Sequence, residues 1–507
     1  MIPETTLAFS GALHARVKRH LFPQDGLEAA AVLICTRTPG PRRRFLVREI
    51  IFVPYTACKR RERDAITWPG EYLEQAIDLA ESTASVMILI HSHPGGLFGF
   101  SDADDESDRK VIPSLFHAFG TLHGSAIMTA DGAIRARLYD PSLQARAVDL
   151  VTVAGDDLCY WWDDKAGFTG PEDRPVAFTS GMTAELGRLS ASVIGASGTG
   201  SVAGEQLARL GFGRVFVIDF DRLERKNLNR ILNSKRADAD ANRLKVEAFA
   251  EAVAAYRGEG VAIPVPASIA TRDAVLAAAQ SDVVFCCVDT LEARQIADLI
   301  AAAFLLPLFD VGVVIPVRKK GDTFAIADVC GRIDYVQPGG STLQDRGVYT
   351  PESLRGEYLR KVAPGAHQQE LDAGYLKGLV EEAPAVITLN MRAASACVNE
   401  FLSRAFPFRL ESNRLYARTQ FSLAACEEEH FSEDAFKRTP NQLLARGNTE
   451  PLLGLPALKA PTWGKFQQRY VMRHSFLRLL IFLVRILHIR IKCWFRDIHH
   501  FADCFDR

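Results

Sequence analysis

Residues 195–230 read GASGTGSVAGEQLARLGFGRVFVIDFDRLERKNLNR. An apolar run, Ala191 to Ile194, precedes them as a strand; the chain turns through Gly195, Gly198 and Gly200 and continues from Ser201 as a helix carrying Leu207 and Leu210. Glycines let the backbone approach an anion, and the amides and dipole of the following helix favour negative charge, so the stretch reads as the phosphate cradle of a Rossmann-like α/β domain. A second strand, Arg214 to Ile218, then delivers Asp219 to where a ribose would lie. Nicotinamide and flavin domains share that much.

The residues after the acid narrow the choice. Asp219-Phe-Asp221 leads into Asn227-Leu-Asn229-Arg230, with Lys245 and Asp289 further on. A nicotinamide site has no use for an Asn, an Arg and a Lys together behind its ribose acid. Triphosphate chemistry does, because cations must hold the polyphosphate in line while an acceptor attacks the α-phosphorus. Over roughly residues 174 to 425 the chain resembles the ThiF/MoeB and ubiquitin-activating-enzyme family, which adenylates the C-terminal Gly of ubiquitin-like proteins. The resemblance implies ATP and Mg2+ as cofactors, with Gly195, Gly198 and Gly200 cradling phosphate and Asp219 on the ribose. It places Asn227, Arg230 and Lys245 on the phosphates and Asp289, ending VVFCCVD, on magnesium. Ser197 stands where the family usually has Gly.

With 507 residues the chain exceeds one ordinary core, and two or three domains are expected. Sixty basic against 61 acidic residues give a net charge of −1, which offers no global attraction for nucleic acid. Ten scattered cysteines without a CxxC pair speak against a disulfide framework and for a reducing cytoplasm. The start, MIPETTLAFSGALHARV, lacks the basic-then-apolar order of a signal peptide, and no uncharged apolar run reaches the ~18 residues of a spanning helix.

Residues 1–150 read as a separate α/β domain. Strands are expected at Ala30 to Cys35, Phe45 to Val53, Val86 to Ile90, Ala126 to Thr129 and Ala133 to Tyr139, with a helix from Glu71 to Ser82. Its chemistry lies in His91-Ser-His93-Pro-Gly-Gly-Leu-Phe-Gly-Phe-Ser101-Asp-Ala-Asp104. Two histidines at i and i+2 on a strand point to one side and reach one ion; Asp104, returning from the next helix, supplies a third ligand and leaves a fourth position open, the catalytic zinc arrangement. Taken separately, an HxH is more often a strand end, and Ser101 with Asp104 is an ordinary capping box. Together, HxHP followed by SxxD resembles the JAMM (MPN+) metalloprotease family, with its cytidine-deaminase-like α/β fold and Zn2+. That resemblance implies Glu28 as general base, in preference to Glu49, and Ser101 as oxyanion stabiliser. Ala31 replaces a frequent Gly.

Residues 151–175 are expected to be a linker, with Trp161 and Trp162 as packing anchors. The adenylation domain is expected over 176–455, and a basic amphipathic helical tail over 456–507. By resemblance, Arg174 reaches a partner's nucleotide and implies a homodimer. The segment Pro338 to Asp345 lacks the cysteines that bind structural zinc in many relatives, so none is expected in the second domain. Cys330, before what reads as a Gly-Arg turn after a strand, is the first candidate for a transfer nucleophile, with Cys426 behind it; Cys286, Cys287 and Cys397 read as core. In the tail Arg478, Arg485, Lys492 and His499 recur around apolar runs, which suits an acidic partner helix or a membrane surface, or equally a capping helix with snorkelling arginines.

The sequence thus suggests a cytoplasmic, bifunctional enzyme of a bacterial ubiquitin-like pathway that adenylates a modifier's C-terminal Gly and hydrolyses the bond after it; a conjugating enzyme is a further candidate partner. Two other readings stand beside it: activation and processing of a sulfur-carrier protein in cofactor synthesis, and a non-catalytic scaffold that binds a ubiquitin-like protein.

Overall fold

The computed structural model describes residues 2–83, 85–164, 175–320, 323–364 and 386–460. Residues 2–458 form one compact unit built on two mixed sheets. Arg174 and the four basic residues singled out in the tail lie outside the described residues.

The first sheet contains β1 (Thr5–Ser10), β2 (Ala30–Arg37), β3 (Arg43–Phe52), β6 (Val86–His93), β7 (His123–Thr129), β8 (Ile134–Tyr139), β9 (Ala145–Ala147), β10 (Leu150–Ala154) and β11 (Leu158–Trp162), in the order β11-β10-β1-β3-β2-β6-β7-β8-β9. A separate two-stranded ribbon pairs β4 (Arg60–Arg61) with β5 (Ile66–Thr67). Helices α1 (Gly11–Leu21), α2 (Glu71–Ser82) and α3 (Asp102–Ala118) complete this half. The unbroken apolar run of β2 fits its place: it is paired on both edges, by β3 and β6, and all but its last residue is buried. Helix α3 starts at the Ser101/Asp104 capping box and carries three acids in its first turn, where the helix dipole favours them.

The expected linker is corrected in its first part. Residues 150–162 are a hairpin, β10–β11, turning at Gly155 and forming an edge of the first sheet. Gly155-Asp-Asp reads as loop composition, but it is flanked by runs that alternate, and Leu158, Tyr160 and Trp162 point into the core of the following domain. Trp162 is fully buried, with the Arg188 guanidinium 3.8 Å above its ring; Trp161 packs on His14. Both tryptophans pack.

The second sheet runs β14-β13-β12-β15-β16-β19-β20-β21. Strands β12 (Ser190–Ile194), β13 (Arg214–Ile218), β14 (Ala262–Val265), β15 (Val283–Cys286) and β16 (Leu308–Val314) are parallel. The small ribbon β17 (Val317–Lys320) with β18 (Thr323–Ile326) leads to antiparallel β19 (Cys330–Val336), β20 (Arg418–Ser422) and β21 (Glu427–Phe431). The helices are α4 (Ser180–Leu186), α5 (Gly198–Leu210), α6 (Arg236–Asp240), α7 (Lys245–Arg257), α8 (Arg272–Ala278), α9 (Leu291–Phe304), α10 (Pro351–Val362) and α11 (Ile387–Ala405). Strand order reverses at β12, which has β13 on one side and β15 on the other; in such sheets ligands bind beyond the carboxyl ends at that crevice, where the glycine loop lies. The segment after β19 is held by charge: Arg346 pairs with Asp334 at 3.1 Å and with Glu433 at 2.8 Å, all buried.

The halves share buried polar contacts. Arg42 donates to Asp282 at 2.6 Å and to Ser190 at 3.2 Å, and Arg44 to the carbonyl of Phe304 at 3.2 Å. The Tyr335 hydroxyl donates to the carbonyl of Gly155 at 2.5 Å. Truncating Arg42 would leave Asp282 charged and buried without its partner, the costly way to break an ion pair.

Candidate active sites

At the end of β6 alternation puts His91 and His93 on one face, while Ser92 turns to the other and accepts from the Ala29 amide at 2.9 Å, tying in the loop that carries Glu28. The Glu28 amide also donates to the carbonyl of Glu62 at 2.7 Å. The Nε2 atoms of His91 and His93 are 3.0 Å apart. Asp104 approaches them from the first turn of α3, Oδ1 2.9 Å from His91 and Oδ2 3.4 Å from His93. Tetrahedral ligands about 2.0–2.1 Å from zinc lie about 3.3 Å from one another, so the triangle has the right size for the ion. The Nδ1–H of His93 donates to the carbonyl of Leu97 at 2.8 Å, leaving its Nε2 lone pair for a metal. Burial opposes ionisation of Asp104, but the two histidines and the Ser101 amide outweigh it and hold its carboxyl well below the usual range.

Glu28, His91 and His93 also offer ligand atoms within 4.8 Å of one another, so Glu28 competes with Asp104 for the third position. Charge favours Asp104 as ligand: it is held ionised, with carboxylate oxygens 2.9 Å from His91 and 3.4 Å from His93. Burial pushes the Glu28 carboxyl up to about 6, against the pull of the histidines, which suits a group that exchanges protons near neutrality. Zinc held by His91, His93 and Asp104 would supply Lewis acidity. Ser101 donates its hydroxyl proton to Asp104 Oδ2 at 2.8 Å and its amide to the same oxygen at 2.6 Å; the capping box and the ligand-orienting contact are one structure. Glu49 is exposed on β3, paired opposite Ile34 and 3.8 Å from Arg48, away from this cluster.

The second site is a cleft of about 1240 Å³ beyond the carboxyl ends of β12, β13 and β15. Gly195, Gly198, Asp219, Asn227, Arg230, Lys245 and Asp289 all line it. Gly195 has φ of +90°, a conformation glycine adopts without strain. Gly200 works by closeness instead: a Cβ there would lie 1.8 Å from the Gly195 carbonyl oxygen. Ser197 has φ of −90°, which needs no glycine, so the departure from the family pattern fits. Asp219 accepts from the Ala196 amide at 2.7 Å and the Asp221 amide at 2.8 Å, stitching the loops after β12 and β13 together while retaining acceptor capacity for a hydroxyl pair. Lys245, the buried first residue of α7, is 2.7 Å from Asp221. Asn227 accepts from the Glu224 amide at 3.0 Å, and Arg230 donates to the Lys226 carbonyl and to Asn229, each at 3.1 Å. The Asp289 loop is held from behind by Arg294, which donates to the Val288 carbonyl at 2.6 Å and pairs with buried Asp310.

Cys330 is on the wall of this cleft as the first residue of β19, paired opposite Val314, and the expected Gly331-Arg332 turn after it is strand instead. Its thiol is 3.1 Å from Asp328, and partial burial together with that carboxylate pushes it up to about 11. Cys426 is exposed at the β20–β21 turn with φ of +57°. Sequence reading missed Arg332, Asn390, Glu427 and Glu429, which line the same cleft from β19, α11 and β21. They lie far along the chain from the glycine loop, outside any local motif.

The ThiF family matches residues 174–389, and the prokaryotic homologs of the JAB domain match residues 11–139. Among curated proteins, ubiquitin-like modifier-activating enzyme 5 of Aedes aegypti is 28% identical over 174 residues, 31% of this chain and 40% of that protein. Its namesake from Culex quinquefasciatus is 26% identical over 167 residues, 31% of this chain and 38% of that protein. The chain therefore spans about two-fifths of the length of these relatives. Among solved structures, E. coli MccB with ATP has a TM-score of 0.38 at 14% identity, covering 52% of this chain and 68% of that one. PaaA has 0.35 at 17%, covering 50% and 67%. The chain joins a domain of the prokaryotic JAB homologs, over residues 11–139, to a ThiF-family domain over residues 174–389.

Proposed function

We propose that the chain is a two-site enzyme acting on the C-terminal tail of a ubiquitin-like protein. The ThiF-family half joins AMP to the terminal glycine carboxylate with ATP and Mg2+, and the JAB half hydrolyses, with Zn2+, the peptide or isopeptide bond after the same terminus. The observation that carries the reading is the convergence in one cleft of the glycine loop, an acid placed for a ribose, Lys245, Arg230 and Asp289. The names of the insect relatives agree with that chemistry. In the first half Glu28 takes the proton of the attacking water, Asp104 and the two histidines hold zinc, and Ser101 orients Asp104 in place of the oxyanion role that the resemblance implies, because its one hydroxyl proton is already donated to that carboxylate. In the second, Asp289 holds magnesium, and Arg230, Lys245 and Asn227 steady the phosphates. A protonated Cys330 is a poor nucleophile, so the reaction ends at the adenylate, from which a separate conjugating enzyme or a sulfur donor takes the modifier. That leaves room for the sulfur-carrier reading. The homodimer and the cytoplasmic setting remain part of the proposal; no described helix is long and apolar enough to cross a membrane.

Two measurements test it. ATP–pyrophosphate exchange should appear with small Gly-Gly-terminated proteins as acceptors; none with any of them, from a folded protein, returns the chain to the scaffold reading. Elemental analysis should find about one zinc per chain, the content of one three-ligand site. Glu28→Gln should keep the zinc and lose hydrolysis by ~100-fold or more, whereas His91→Ala should lose the metal. Loss of zinc in Glu28→Gln would make Glu28 the ligand instead.

A further inference from the structure

Helix α11 begins far along the chain from the glycine loop, yet its Asn390 packs on the loop. The residue is only 5% exposed, and it lies on the wall of the cleft. Its backbone amide donates to the Val386 carbonyl; its side chain makes no hydrogen bond among the described residues. Its side-chain amide atoms are not closed off from the cleft, so their open hydrogen-bonding capacity faces whatever fills it. The direction of that amide is given by Gly198: a Cβ at that glycine would meet Asn390 Nδ2 at 2.2 Å and Arg230 Cδ at 3.5 Å. Asn390 and Arg230 thus converge over the first residue of α5, where the amides and dipole of a 13-residue helix favour an anion.

From this convergence we infer that Asn390 is a nucleotide-binding residue whose side-chain amide donates to the phosphate chain of a nucleoside triphosphate seated on Gly198. The inference rests on the reading of the cleft as a nucleotide site and adds to it a donor from a distant helix. Gly198 is then required for a second reason besides backbone approach to phosphate: any side chain there would occupy the place of the Asn390 amide.

The test needs no partner protein. Binding of ATP, ADP, AMP and adenosine, each with Mg2+, is measured by calorimetry on the whole chain. Asn390→Ala should weaken ATP about tenfold or more, the usual loss for a hydrogen bond to a charged group. It should leave adenosine unchanged, which separates a contact to phosphate from the packing of Asn390 on the loop. Asn390→Asp, which sets a like charge against the phosphates, should be weaker than Asn390→Ala. Wild-type affinity for ATP in Asn390→Ala overturns the inference, as does an equal loss for adenosine, which marks a packing role. A wild-type chain that binds none of the four overturns it together with the reading of the cleft.

Discussion

Cys330 shows how much a single contact decides. It has the position that a transfer cysteine would need, on the wall of the cleft beside the glycine loop, and the wrong electrostatics. Asp328 accepts from the thiol, from the Val329 amide at 2.6 Å and from Ser422 at 2.9 Å, so its negative charge is fixed beside the sulfur. A thiol raised from 9.0 to about 11 carries about a hundredfold less thiolate at neutral pH, and the thiolate is the reacting form. Alkylation with iodoacetamide at pH 7.5, followed by peptide mass mapping, should therefore modify exposed Cys426 well before Cys330. Asp328→Asn removes the charge that raises the thiol and should speed labelling of Cys330. Labelling of Cys330 ahead of Cys426 in the unaltered chain would restore it as a nucleophile. Glu28 is the opposite case: burial raises its carboxyl to about 6 beside the candidate zinc ligands.

At the scale of elements, the glycine loop is a packing solution as much as a phosphate cradle. Gly200 is inside the first turn of α5, and its missing side chain lets the helix close against the Gly195 carbonyl. Gly200→Ala pushes a methyl into backbone, which cannot yield as a flexible side chain would. It should destabilise the chain by roughly 1–3 kcal/mol in urea unfolding and abolish binding of a fluorescent ATP analogue. Unaltered binding would mean that the loop has another conformation. The loop, its flanking strands and the stretch that brings the HxHP and SxxD residues together could be read from sequence because each signal is local: Glu71–Ser82 and Arg214–Ile218 fall where periodicity puts them, and the candidate ligands lie within one short stretch. Strand β1 and helix α1 escaped because Thr5–Ser10 is short and half polar, and the signal that starts α1 is a single capping serine, Ser10. The β10–β11 hairpin was hidden by its loop-like turn. Asn390 and Arg332 were illegible for a different reason: only the sheet order brings α11 and β19 beside β12 and β15.

For the molecule as a whole, register decides how the two sites relate. The contacts from Arg42 reach the chain at the amino ends of the parallel strands, Ser190 on β12 and Asp282 just before β15, while the glycine loop and Asp289 follow their carboxyl ends. The length of β12, about 13 Å at ~3.3 Å per residue, lies between. In the first sheet His91 pairs with Ala30, at the start of β2, and Arg37, at its other end, accepts from the Asn448 amide of the second half. That interposes the length of β2, about 23 Å by the same rise. Among the described residues, none of the first domain lines the second cleft. A tail of six extended residues reaches about 20 Å, short of the two strand lengths taken together, so under the proposed function a modifier seated at one site is expected to dissociate between cleavage and adenylation. Glu28→Ala and Asp289→Ala chains should then complement each other in trans. Given a modifier precursor with a C-terminal extension, their mixture should release pyrophosphate at the rate of the unaltered chain at equal concentration of intact sites, and each variant alone should fail. A mixture that lags well behind the unaltered chain would show direct transfer within one molecule, and with it a mobile arrangement of the two halves that the buried Arg42–Asp282 contact argues against.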